Sequence, residues 1–170
     1  MTRRISRFVA ALSVIGAVAV VPAVPASAET ADLVVGTGQF LGDGSPAFPG
    51  IELYVTARGG RPGEAASGRF SFRTENVAGV PNSRGSVTCV SVVGNAAVIG
   101  GAIEKSDTPT PDGFSGVIME VRDNGEPGQT VDDQFNFFIV PNPVFSCPSP
   151  PFINGLVSVD RGNFVLHSAG

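Results

Sequence analysis

Between Glu120 and Asp133 the sequence concentrates the groups best able to do chemistry: Glu120, Asp123, Asn124, Glu126, Asp132 and Asp133. A hard cation wants several oxygens at once. Asp123, Asn124, Glu126, Asp132 and Asp133 are therefore candidate calcium ligands, although the segment lacks the alternating ligands and closing glutamate of an EF-hand loop. The same acids offer a carboxylate pair for glycoside hydrolysis, which works at separations of about 5–9 Å. A chain with no tryptophan and only Tyr54 lacks the aromatic platforms common in sugar-cleaving clefts. Asp123-Asn124-Gly125 and Pro127-Gly128 are also turn formers, so a solvated acidic turn accounts for the same composition.

Nucleophilic chemistry has less to draw on. The one histidine, His167, stands three residues before the C-terminal Gly170. The G-x-S-x-G spacing of a nucleophile elbow is absent, and Gly113-Phe114-Ser115-Gly116 falls short of it. Gly36-Thr37-Gly38 has neither the third glycine nor the following helix of a dinucleotide fingerprint. Cys89 and Cys147 are the only cysteines. An isolated pair in an oxidising compartment is most simply a disulfide, with a reactive thiol beside His167 as the alternative.

The compartment follows from the first 28 residues. Arg3, Arg4 and Arg7 precede the 14-residue uncharged run Phe8–Val21, and Ala26-Ser27-Ala28 closes the segment. A basic start, an apolar middle and a small-x-small end predict a secretory signal peptide. The run is shorter than the roughly 20 residues that span a bilayer. Export by the general secretory route and cleavage after Ala28 are expected, with no stable membrane insertion afterwards. Residues 29–170 then form a single domain of 142 residues. Eleven basic residues fall to eight with the leader while fifteen acids remain, so the net charge moves from −4 to −7. An acidic domain is a poor partner for nucleic acid, which leaves an extracellular protein or cell-surface partner as the expected kind.

The elements that must position these groups are strands. Ile51, Leu53, Val55 and Ala57 alternate with Glu52, Tyr54, Thr56 and Arg58, the period of a half-buried strand. Leu33–Leu41, Phe70 and Phe72, Val117–Val121 and Phe135–Ile139 read likewise, with Val117–Val121 apolar enough to be covered on both faces. Ser86–Lys105 predicts a hairpin about Gly94-Asn95, a pair suited to a primed turn. Gly100-Gly101 in its return strand marks a bulge or a close backbone approach. Leu156–Val159 and Phe164–His167 predict a second hairpin turning at Arg161-Gly162-Asn163. No window carries a helical period. The fold class expected is all-β: an antiparallel β-sandwich or closed barrel of eight or nine short strands.

Pro141–Phe152 holds five prolines, which exclude it from a central strand. It should be a stiff, extended surface segment tied by Cys147 to the Cys89 strand. Val144, Phe145 and Phe152 are its candidate apolar contacts if it serves as a recognition loop.

Ser86–Gly101, followed by Val121-Arg122-Asp123-Asn124-Gly125, resembles uncharacterised small secreted Gly-rich β proteins of bacteria. The resemblance implies a β fold and carries no activity. The function expected is thus a secreted non-catalytic β-domain, structural or binding, without a required cofactor. The alternatives are a small hydrolase using carboxylates of the 120–133 region and a calcium-stabilised module.

Overall fold

The computed structural model describes residues 31–42, 50–59, 65–74, 81–110, 113–125 and 131–169; the leader and Glu126 lie outside them. Nine strands and no helix occur among the described residues. They are β1 (Leu33–Phe40), β2 (Ile51–Arg58), β3 (Ser67–Thr74), β4 (Ser83–Val93), β5 (Ala96–Ser106), β6 (Gly116–Arg122), β7 (Gln134–Val140), β8 (Val157–Ser158) and β9 (Arg161–His167). All pairings are antiparallel, in the order β8-β7-β6-β5-β4-β3-β2-β1-β9. The sheet curls into a half-barrel. Its concave face carries one apolar core, in which Val34, Leu53, Val55, Phe70 and Phe72 meet Ile99, Met119, Val121, Phe135 and Phe164.

The two-residue period places these side chains. In β2, Leu53, Val55 and Ala57 are buried, while Glu52, Tyr54 and Arg58 are exposed. In β6, six of seven residues are buried, as expected of a strand covered on both faces. The β4–β5 turn forms at Gly94-Asn95, with Gly94 at φ 61°, where a side chain would be strained.

The last expected hairpin is corrected. Arg161–Asn163 is strand, and β8 and β9 do not pair with each other. β8 pairs with β7 through Phe135 and Val157. β9 pairs with β1 from Leu33↔His167 to Gln39↔Arg161. The chain changes partner at two residues: the Val159 amide donates to the Asp133 carbonyl at 2.8 Å, and the Asp160 amide to the Gln39 carbonyl at 2.8 Å. Both halves of Leu156–His167 thus satisfy their backbone on opposite edges of the sheet, which a hairpin could not do.

The expected irregularity at Gly100-Gly101 is both a bulge and a close approach. Val87 faces Gly101 and Cys89 faces Gly100, leaving Thr88 as the extra residue. A bulge reverses the facing of the residues beyond it. Cys89 therefore turns away from the core and meets Cys147, with a Cα–Cα distance of 5.5 Å.

Residues 141–156 form a strap over this convex face of β4–β7. Thr88 Oγ1 donates to the Val144 carbonyl, and Asn136 Nδ2 donates to the Gly155 carbonyl at 2.9 Å. A Cβ on Gly100 would stand 2.6 Å from the Cys89 sulfur and 2.7 Å from the Val144 carbonyl. Gly100→Ala should therefore cost about 1–3 kcal/mol by overpacking, read as a lower urea midpoint at unchanged slope. An unaltered midpoint would mean that the strap does not press on β5.

Candidate functional site

The acidic segment lies at the β6–β7 connection, and the carboxylates of Asp123 and Asp133 accept from the main chain. Asp133 is buried. Its Oδ1 accepts from the Asn124 amide at 2.8 Å, and its Oδ2 from the Phe164 amide of β9 at 2.7 Å. Asp123 Oδ1 accepts from the Gly125 amide at 3.0 Å, and its Oδ2 from the Leu166 amide at 3.3 Å. Phe164 and Leu166 thus turn alternate amides of β9 away from β1 and toward carboxylates, where a ladder partner is missing. The Phe135 and Phe164 rings meet edge-on below them, with centroids 6.0 Å apart.

These contacts tie β9, one edge of the curled sheet, to the β6–β7 connection. Asp133→Asn would leave one amide facing an NH₂ group instead of an oxygen, a buried donor without an acceptor. A loss of about 1–3 kcal/mol is expected, with faster hydrogen exchange at Phe164. Exchange at Phe164 unchanged in the variant would show that the carboxylate does not hold this edge.

Asn124 is also engaged. Its side-chain oxygen accepts from Asn95 Nδ2 at 3.0 Å, and its NH₂ donates to the Asp132 carbonyl at 2.8 Å. Asp132 is exposed. Among the described residues, no three His, Cys, Asp or Glu side chains are grouped to hold a metal ion. Of the candidate calcium residues, Asp123, Asn124, Asp132 and Asp133 meet at one connection, Glu126 lies outside the described residues, and the carboxylate oxygens of Asp123 and Asp133 already accept amide hydrogens.

Glu120 is the group whose role the sequence concealed. It is 0 % exposed, on the convex face of β6 beneath the strap. Its Oε2 accepts from the Phe152 amide at 2.7 Å and the Ile153 amide at 2.6 Å. Its Oε1 faces Arg122, with the guanidinium nitrogen at 3.2 Å. A substrate has no approach to it. The one hint in the sequence is a lone acid inside Val117-Ile118-Met119-Glu120-Val121, a strand otherwise apolar on both faces. Buried charge of that kind needs several partners. Asp32 gives no sign of its role in the sequence. Its carboxylate accepts from the Val92 amide at 3.0 Å and the Ala169 amide at 3.0 Å, tying the start of β1 to the end of β4.

The strap presents its candidate contacts unequally. Phe145 is 75 % exposed and Phe152 50 %. Val144 is half-buried, with its carbonyl over Gly100. His167 ends β9 opposite Leu33 and is exposed. Both cysteines are in the disulfide, so neither is a thiol nucleophile.

No protein-family model, curated protein or solved structure matches the chain.

Proposed function

We propose that the mature chain is an exported, non-catalytic β module whose work is binding or structural support. One observation carries this reading. The acids that could run chemistry are instead internal acceptors for main-chain amides: Glu120 for the strap, Asp133 and Asp123 for β9. Glu120 and Asp133, so engaged, are buried and positioned for structure. The basic-apolar-small leader and the Cys89–Cys147 pair support work outside the cytosol.

We read the curled sheet as a barrel closed by unusual means. Val157–His167 runs in one direction, pairing first with β7 and then with β1, and carboxylates bridge the remaining gap. The strap, braced by the disulfide and by Glu120, holds Phe145 and Phe152 toward solvent. Rigid apolar side chains lose little entropy on contact, which suits a recognition surface.

The test is a screen of secreted material against sugar, ester and peptide substrates, with and without calcium. No turnover that depends on Asp132, the exposed acid, is expected. Robust hydrolysis abolished by Asp132→Ala would replace this reading with the hydrolase, and a melting temperature raised by calcium would make the module a cation-stabilised one.

A further inference from the structure

The basic residues of this acidic chain are gathered on one face. Arg58, Arg69, Arg73, Arg84 and Lys105 all lie on β2–β5 and are exposed. They are five of the eight that remain after the leader. The alternation turns them to the convex side, since their neighbours Leu53, Val55, Phe70 and Phe72 fill the core. The register then sets them in rows. Tyr54 lies opposite Ser71, Ser71 opposite Arg84, and Arg84 opposite Lys105. At the usual strand spacing this row is roughly 14 Å long. A parallel row runs Thr56–Arg69–Ser86. The strap covers β4–β7 and leaves this part of the sheet open.

Arg73, Arg84 and Lys105 converge on a groove of about 350 Å³, shared with Ser71, Asn82 and Asp107. The Asp107 carboxylate already accepts from Asn82 Nδ2 at 2.7 Å. Arg73 stands 3.9 Å from Glu52 in an exposed pair, an arrangement worth little in water. Among the described residues, Arg58, Arg69, Arg84 and Lys105 have no ion pair.

We infer that this face binds an acidic polysaccharide, with a carboxylate or sulfate group of the polymer in the Arg73–Arg84–Lys105 groove and its hydroxyls on the Ser, Thr and Tyr54 rows. Charge complementarity selects the partner. Four of the five cations are arginines, whose planar fork matches carboxylate and sulfate oxygens in pairs. Hydroxyl side chains alternate with them, as a sugar polymer requires. Nucleic acid fits less well: Tyr54 is the sole aromatic on the face, and single strands need successive stacking platforms. A lipid surface fits less well again: the exposed apolar side chains beside the cationic rows, Val35, Val93 and Val165, are small, and no exposed Leu, Ile or Phe stands among the described residues of β2–β5 to insert. Here charge holds the sugar, so the lack of tryptophan is no obstacle. The inference rests on the non-catalytic, exported reading only for the source of the polymer. Hydrolysis in the substrate screen would sink that reading and leave binding on this face standing.

The experiment is titration of the secreted protein with polygalacturonate, dextran sulfate and neutral dextran, alongside single-stranded DNA and anionic vesicles. Binding to one or both acidic polysaccharides, and none to dextran, is expected. The two acidic arms tell a carboxylate site from a sulfate site. Arg84→Glu with Lys105→Glu should weaken binding at least tenfold, while Arg161→Glu, outside the groove, should change it less than twofold. Arg84→Lys keeps the charge and should retain most of the affinity, which separates a binding loss from a folding loss. Raising salt from about 50 to about 200 mM should lower affinity on the order of tenfold or more. No binding to either acidic polymer, equal or tighter binding to DNA or vesicles, or affinity unmoved in the double variant would each overturn the inference.

Discussion

Glu120→Ala is expected to lower the unfolding free energy by about 3–5 kcal/mol. The loss has three parts in one place. The amides of Phe152 and Ile153 lose their acceptor beneath the strap, and Arg122 loses its partner. An unsatisfied buried donor costs about 1–3 kcal/mol, so two of them with a stranded, part-buried cation reach the stated range. The loss should show in urea denaturation and, more locally, as rapid hydrogen exchange at Phe152 and Ile153. Glu120→Gln keeps a carbonyl oxygen and should cost distinctly less. A Glu120→Ala protein within about 1 kcal/mol of the parent would mean that water replaces the carboxylate, and the strap would then not depend on it.

Removing the disulfide is expected to have an effect of similar size. Cys89 and Cys147 are 58 residues apart, and the chain-entropy account credits a closure of that length with about 4 kcal/mol at most. Cys89→Ala with Cys147→Ala should therefore fold with a much lower urea midpoint, and the parent should respond in the same way to reductant. The two predictions are coupled. Glu120 and the disulfide hold one strap, so the triple variant should lose less than the sum of the separate losses. Strict additivity would show that the two anchors act on independent parts of the chain. Because Phe145 and Phe152 project from the strap, either change should also loosen the apolar surface they offer.

Local order in this protein is legible in its sequence. Alternation at Ile51–Arg58 and Phe135–Ile139 reflects a period of two residues against one buried face, the apolar run Val117–Val121 a strand covered on both, and Gly94-Asn95 the positive φ of the turn that joins β4 to β5. Pro141–Phe152 could not be a ladder strand, because five residues lack the amide hydrogen that a ladder needs. The Cys89–Cys147 pairing followed from there being no other cysteine.

The chemistry of the acids was decided at longer range. Asp133 is a turn residue in sequence and an acceptor for Phe164 in space, 31 residues away. Glu120 is a candidate catalyst on paper and the buried anchor of the strap in fact. Thr88, the extra residue of a bulge, turns Cys89 outward against the parity that Val87 predicts. Arg58, Arg69, Arg73, Arg84 and Lys105 are scattered among acids in the chain, and only the register of four strands brings them onto one face. Periodicity acts between neighbours and survives in the sequence as a pattern. Register, bulges and the change of partner at Val159–Asp160 depend on which backbone groups are satisfied by distant segments, and that is settled only when the whole sheet assembles.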